Sequence, residues 1–314
     1  MKRKVIFDCD PGLDDALALL LAVASDKLDI LAITTIAGNS TIEKTSQNAL
    51  DLMERFGRPD IPVARGSGNP IIGRFSTGEH VHGSKGIGGI ELKKSDSSLH
   101  PLRAHELIRK ILLDSEEKVT IIATGPLTNI GIALSLYPEI FEKIEMISMM
   151  GGSASVGNVG AVMEANTFND PEAAHIVFNS GLPIAMFGLN VTYQTVVYQH
   201  EFDRIESIGS ELAKLAASFN RLHYKFYEGK PFFKGDPSHD SCAVAYLLNP
   251  ELFQMEHLNV VVDLTGEFSR GQTIIDQHGV TGRAPNAWVA LSSDRDGFAQ
   301  LVYESVLALS KRLG

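Results

Sequence analysis

Val5-Ile6-Phe7-Asp8-Cys9-Asp10-Pro11-Gly12-Leu13-Asp14-Asp15 decides how the rest of the chain is read. An apolar run leads into four carboxylates, with a Pro-Gly pair between the first two and the last two. Leu13, Leu17, Leu20 and Leu21 then repeat with helical spacing. This pattern predicts a buried strand, a tight turn and a helix start. Side chains alternate along a strand, so Asp8 and Asp10 share a face. Asp14 and Asp15 fall in the first helical turn, where the macrodipole favours anions. The four acids therefore crowd the carboxyl end of the first strand, the edge at which open α/β sheets bind ligands. A single Asp here reads as a turn former or helix cap. A cluster of this density needs a counter-charge, and a hard divalent cation with oxygen ligands is the simplest one. An EF-hand loop does not supply the explanation. Counted from Asp8, its sixth and twelfth positions hold Leu13 and Leu19 instead of glycine and glutamate.

Downstream of this stretch, strand and helix patterns alternate. Strands are predicted at 29–36, 61–64, 119–123, 144–150 and 183–187, with helices at 43–56, 105–114 and 170–179. Ser40 and Glu43 have the spacing of a capping box for the 43–56 helix. The alternation predicts an α/β fold with a mainly parallel, doubly wound, Rossmann-like sheet flanked by helices. Later additions are two helices within 200–228, an apolar helix opened by Ser238-His239-Asp240, a hairpin at 260–262 and 273–275, a strand near Trp288 and a closing helix at 297–311. Residues 66–100 read as one long loop, of a length usually tied to function. His80 and His82 within it match no closed zinc site. Thr124-Gly125-Pro126-Leu127-Thr128-Asn129 is a strand-to-helix turn that lacks the phosphate-binding loop pattern.

The chain has 314 residues, 44% hydrophobic content and a net charge of −10. It is long enough for a large core and reads as one domain, 1–314. The acidic balance without a basic run argues against nucleic-acid and anionic-membrane partners. The apolar stretch of the first helix is too short for a bilayer. The amino terminus, Met1-Lys2-Arg3-Lys4, has no signal-peptide core. Two cysteines, Cys9 and Cys242, form no disulfide framework, so a cytoplasmic location is expected.

Eight segments in this order resemble the nucleoside hydrolase family of the inosine–uridine-preferring or non-specific ribonucleoside type. They are 8–16 (Asp-Cys-Asp-Pro-Gly-Leu-Asp-Asp-Ala), 35–39 (Thr-Ile-Ala-Gly-Asn), 81–83 (Val-His-Gly), 124–129, 150–152 (Met-Gly-Gly), 164–166 (Glu-Ala-Asn), 169–174 (Asn-Asp-Pro-Glu-Ala-Ala) and 239–240 (His-Asp). The likeness runs end to end. It implies hydrolysis of the N-glycosidic bond of purine and/or pyrimidine ribonucleosides, in nucleoside salvage. It also implies a bound Ca2+ on Asp10, Asp15, the main-chain carbonyl of Thr124 and Asp240. Asp10 doubles as general base. Asp14, Asn39, Met150, Asn158, Glu164 and Asn166 grip the ribose. His239 is the candidate acid for the leaving base, His82 a secondary candidate beside it, and Tyr227 contacts or stacks on the base. A homodimer or homotetramer is implied as well.

The chemistry suits these residue types. Breaking the bond builds oxocarbenium character on the ribose, which carboxylates stabilise. His223 stands where such relatives often have tyrosine, and Ala165 where many have phenylalanine, so base preference stays open. The 229–238 segment is expected to close as a lid. Two other readings compete. A magnesium-dependent phosphatase of the haloacid-dehalogenase type would use Asp8 as nucleophile, but no lysine at a strand end supports it. A non-catalytic nucleoside-binding protein would keep the ribose grip without a general base.

Overall fold

The computed structural model describes residues 2–230 and 234–314. The first strand, β1 (Arg3–Cys9), is buried from Val5 onward. Val5, Phe7 and Cys9 join one apolar layer, and Ile6 joins another. That alternation is what a central strand covered on both faces requires. After it come α1 (Leu13–Ala24), β2 (Leu28–Thr35), α2 (Ile42–Arg55), β3 (Val63–Arg65), α3 (Glu79–His82), α4 (Ala104–Asp114), β4 (Val119–Ala123), α5 (Thr128–Leu136) and β5 (Ile144–Met150). The second half contains α6 (Ala165–Asn169), α7 (Pro171–Phe178), β6 (Ile184–Phe187), α8 (Leu189–Thr192), β7 (Val196–Tyr198), α9 (Gln199–Glu206), α10 (Glu211–Tyr227) and β8 (Gly235–Pro237). It closes with α11 (Ser241–Leu248), β9 (Phe253–Val262), β10 (Thr273–Asp276), β11 (Ala287–Ser293) and α12 (Arg295–Leu313).

Nine strands form one sheet in the order β10-β9-β11-β6-β5-β4-β1-β2-β3. All pairings from β11 to β3 are parallel, and β9 pairs antiparallel with both β11 and β10, so β9 is the strand that runs against the others. The expected mainly parallel α/β sheet is therefore the observed one. Its order reverses between β1 and β4, which makes their carboxyl ends the topological switch point. One face of the sheet is covered by α1 and the late helices α10, α11 and α12, the other by α4, α5 and α7. α1 is apolar on nearly every side because it lies between the sheet and those late helices. Among the described residues, no helix is long and apolar enough to cross a membrane.

Several local expectations differ from the structure. The 66–100 loop carries one helical turn, α3, which holds both His80 and His82. The Ser40–Glu43 capping box does not form. α2 begins after Thr41 with no side-chain cap, and the Ser40 hydroxyl donates instead to Glu79 Oε1 at 3.1 Å, beside the Lys44–Glu79 ion pair. The third strand lies at Val63–Arg65, slightly later than expected. The 229–238 segment is not one free lid. Gly235–Pro237 pairs with β7 as a buried strand, and residues 231–233 of the expected lid lie outside the described residues.

Candidate active site

The β1–α1 turn builds the floor of the site. Asp10 follows the last residue of β1 and is buried. Its Oδ2 accepts the backbone N–H of Asn39 at 2.6 Å, while Oδ1 has no hydrogen-bond partner. Two glycines make room for it. A Cβ at Gly38 would lie 2.1 Å from Asp10 Oδ2, and one at Gly125 would lie 2.6 Å from Oδ1. Asp15, in the first turn of α1, accepts from Gly12 N at 2.9 Å, Asn39 Nδ2 at 2.9 Å and the Thr124 hydroxyl at 2.7 Å. It thereby ties the ends of β1, β2 and β4 together. Asp240 precedes α11 without forming a capping hydrogen bond, so capping does not account for it. Oxygens of Asp14, Asp15 and Asp240 all lie within 4.8 Å of one another.

Burial and mutual repulsion shift the carboxyls of this floor. Burial first, and then the Asp15 charge, pushes the Asp10 carboxyl well above the ordinary range. Burial and Asp14 raise Asp15 to about 7. Asp240 is pushed up by burial and by Asp14, Asp15 and Asp10. Asp14 is the exception. Burial acts upward on it, but His223, His82 and His239 together outweigh burial and hold it low. The oxygen-only donor set and the unpartnered oxygens of Asp10 and Asp14 fit a hard divalent cation.

Above this floor is a cavity of about 730 Å³, open mouth included. Asp10, Asp14, Asn39, His82, Thr124, Met150, Asn158, Glu164, Asn166, Tyr227, His239 and Asp240 all line it. Of the site residues that the family resemblance implies, only Asp15 is absent from its wall. Glu164 caps α6 and accepts backbone N–H groups from Gly152 (2.8 Å), Asn166 (2.8 Å) and Thr167 (3.1 Å). Burial still raises its pKa. The Asn166 amide donates to the Thr124 carbonyl at 2.9 Å and to the Met150 carbonyl at 3.2 Å. Asn158 is exposed and accepts from Ala165 N at 2.9 Å.

The opposite end of the cavity is built of rings. His82 stacks on His223 with centroids 5.6 Å apart, and Tyr227 and His239 meet His223 edge-on at 5.3 and 5.8 Å. His82 Nδ1 accepts from Leu13 N at 3.2 Å. His239 bridges the Thr192 hydroxyl (Nδ1, 2.7 Å) and the Tyr227 hydroxyl (Nε2, 2.9 Å). Burial lowers His82 to about 4 and His239 to about 3, so both rings are neutral near pH 7.

The profile of the inosine-uridine preferring nucleoside hydrolases matches residues 5–300. The chain belongs to the nucleoside hydrolase family. This ribonucleoside hydrolase is 41% identical to the pyrimidine-specific ribonucleoside hydrolase RihA of Shewanella woodyi, over 99% of this chain and all of that one. It is 40% identical to the RihA of Citrobacter koseri, over 97% and 98% of the two chains. The solved purine-preferring ribonucleoside hydrolase of Gardnerella vaginalis superposes with a TM-score of 0.92 at 32% identity, over 99% of this chain and 100% of that one.

Asp8 lies off the cavity wall of this hydrolase. Its Oδ2 accepts from the Thr34 hydroxyl at 2.5 Å and from Asn129 Nδ2 at 2.8 Å, and it is fully buried. It cannot present a nucleophile to the cavity, which removes the structural basis of the phosphatase reading. Four supporting residues were given no individual role from the sequence: Asn129 and Asn169, which lie in the resembling segments 124–129 and 169–174, and Thr192 and Asp236. Asn129 and Thr192 act through partners far away in sequence, Asp8 and His239. Asn169 lines the cavity and exchanges hydrogen bonds with the Ser76 backbone. It precedes the helix expected at 170–179, which forms as α7 with Asp170 as its cap and Pro171 in its first turn.

Proposed function

We propose that this hydrolase cleaves pyrimidine ribonucleosides to ribose and free base, using a calcium ion on Asp10, Asp15, the Thr124 carbonyl and Asp240. One observation carries the reading: a single cavity joins an oxygen-rich floor at the ends of β1 and β4 to a ring-lined wall from α10 and His239. The pyrimidine preference is supported by the relatives at about 40% identity whose specificity is for pyrimidines. The ion would acidify and orient the attacking water.

This chain's own residues do the rest. Asp10 accepts the water proton through its unpartnered Oδ1. Asp14, Asn39, Asn158, Asn166 and the Met150 segment hold the ribose. Glu164 keeps its charge aimed at the sugar ring through three backbone donors, so that it meets the positive charge developing in the transition state. His82 flanks the base. His239, a neutral ring fixed by Thr192, sets the Tyr227 hydroxyl at the base end of the cavity. We further infer action in the cytoplasm in nucleoside salvage, which the two free, buried cysteines suit. Assembly as a homodimer or homotetramer is tested by light-scattering mass in dilute solution, where a monomer would contradict it.

The deciding assay is free ribose release from uridine, cytidine, inosine, guanosine and adenosine in phosphate-free buffer with calcium present. Release from uridine and cytidine ahead of the purines supports the proposal. Purine nucleosides turned over fastest would overturn the base preference, and binding of all five without turnover would favour a nucleoside-binding protein.

A further inference from the structure

His223 and Asp236 form a buried pair that nothing in the scheme above uses. His223 lies near the end of α10 and Asp236 in β8, and both side chains are almost wholly inaccessible. Nδ1 of His223 is 2.6 Å from Asp236 Oδ1. The other carboxylate oxygen accepts from Asn220 Nδ2 at 2.8 Å, one turn earlier on α10. With both oxygens engaged, the carboxylate is fixed and in turn fixes the ring. β8 is held just as firmly. It pairs with β7, and a Cβ at Gly235 would lie 2.4 Å from the Val197 carbonyl, so the strand can approach only with glycine there.

The ring forms part of the cavity wall. With Nδ1 on Asp236, the remaining nitrogen, Nε2, is the one left to serve the cavity. One ring nitrogen of His223, one of His82 and an oxygen of Asp14 lie within 4.8 Å of one another. The groups facing His223 are thus Asp236 from β8, Asp14 from α1, His82 from α3, Tyr227 from its own helix and His239 ahead of α11. Two of these are acids, two are imidazoles and one is a phenol.

We propose that His223 is a catalytic residue that donates a hydrogen bond from Nε2 to a carbonyl oxygen of the departing base, with Asp236 as its positioning residue. The inference rests on the reading that this cavity cleaves nucleosides. Burial alone would keep the ring neutral, but Asp236 and Asp14 outweigh it and raise His223 to about 9. Asp236 thus holds His223 as a charge-assisted donor at the base end of the cavity. As the C1′–N bond breaks, its electron pair moves onto the base and spreads to the carbonyl oxygen beside the ring nitrogen. The His223 N–H meets that charge there. The water oxygen bonds to C1′ and its proton goes to Asp10. The base anion takes a proton from solvent on release, Asp10 returns its proton to solvent, and the reaction balances as nucleoside plus water to ribose plus base. Uracil and cytosine offer such an oxygen, whereas adenine has none.

The test compares uridine with 4-nitrophenyl β-D-ribofuranoside, whose nitrophenolate leaves without help from a donor. His223→Gln and Asp236→Asn are assayed beside wild type, and thermal melting of each establishes that it is folded. For uridine, kcat is expected to fall roughly 100-fold in His223→Gln, the low end of what a positioned acid contributes. Asp236→Asn is expected to fall in the same direction, with KM little changed. On the nitrophenyl riboside both variants should stay within about threefold of wild type, because ribose grip and water activation are untouched. Equal losses on both substrates would make the pair structural and overturn the proposal, as would no loss on either. A wild-type enzyme that releases ribose from the nitrophenyl riboside but from no nucleoside would overturn the functional reading and the inference together.

Discussion

Replacing Asp8 with asparagine should alter the pH dependence of stability more than the chemistry. Burial raises the Asp8 carboxyl to about 7, against an ordinary value of 3.8, because the hydrogen bonds from Thr34 and Asn129 only partly offset desolvation. A group raised in this way stabilises the fold fully below its unfolded pKa, and that contribution is lost as pH rises through its folded pKa. Between about pH 5.5 and about pH 8.5 the unfolded chain releases its proton throughout, while the folded chain does so only above about 7. The difference is roughly 1.5 pK units, or about 2 kcal/mol lost by wild type and spared in the variant. The assay is urea denaturation of metal-stripped wild type and Asp8→Asn at both pH values, with m-values checked for equality. The variant should gain about 2 kcal/mol relative to wild type on going to the higher pH. An unchanged difference, or a shift the other way, would refute the argument that Asp8 is a buried, largely protonated anchor. Ribose release by the variant, measured with calcium restored, should stay within about tenfold of wild type, since Asp8 is off the cavity wall.

Three further outcomes are expected. Glu164→Gln places an amide NH2 among three backbone donors, so it should cost about 1–3 kcal/mol in urea titrations and lower kcat. Removing divalent metal with a chelator near pH 7 should abolish ribose release. Calcium should restore it better than magnesium, which demands stricter octahedral geometry. Phe187→Ala empties a buried site packed edge-on against Phe253 at 4.9 Å, and should cost about 3–5 kcal/mol in thermal or urea unfolding while leaving KM for uridine unchanged.

What the sequence revealed depended on how local each signal was. The acidic turn after β1 was legible because a strand, a Pro-Gly break and a helix start follow one another within a few residues, and the switch-point rule assigns that edge to ligands. Thr124 and Met150, at the carboxyl ends of β4 and β5, were marked by the family resemblance of the segments 124–129 and 150–152. Pairings between distant elements were not. His223 and Asp236 are 13 positions apart, and only the antiparallel pairing of β7 with β8 brings Asp236 against α10. Ser40 and Glu43 had the spacing of a cap, but Glu79, arriving from α3, gave the Ser40 hydroxyl a charged partner. Asp8 and Asp10 looked equivalent in sequence. Asn129 and Thr34 bind the first as part of the interior, while Gly38 and Gly125 leave the second room to face the cavity.

The carboxylate floor at the β1–β4 edge is proposed to hydrolyse a ribonucleoside. The most direct measurement is ribose formed from uridine, without phosphate, by calcium-loaded wild type and Asp10→Ala side by side. Wild type should give equal amounts of ribose and uracil, and the variant should be slower by about 1,000-fold or more, within the range for a positioned base. No ribose from the calcium-loaded wild type, or a variant as fast as wild type, would contradict the proposal.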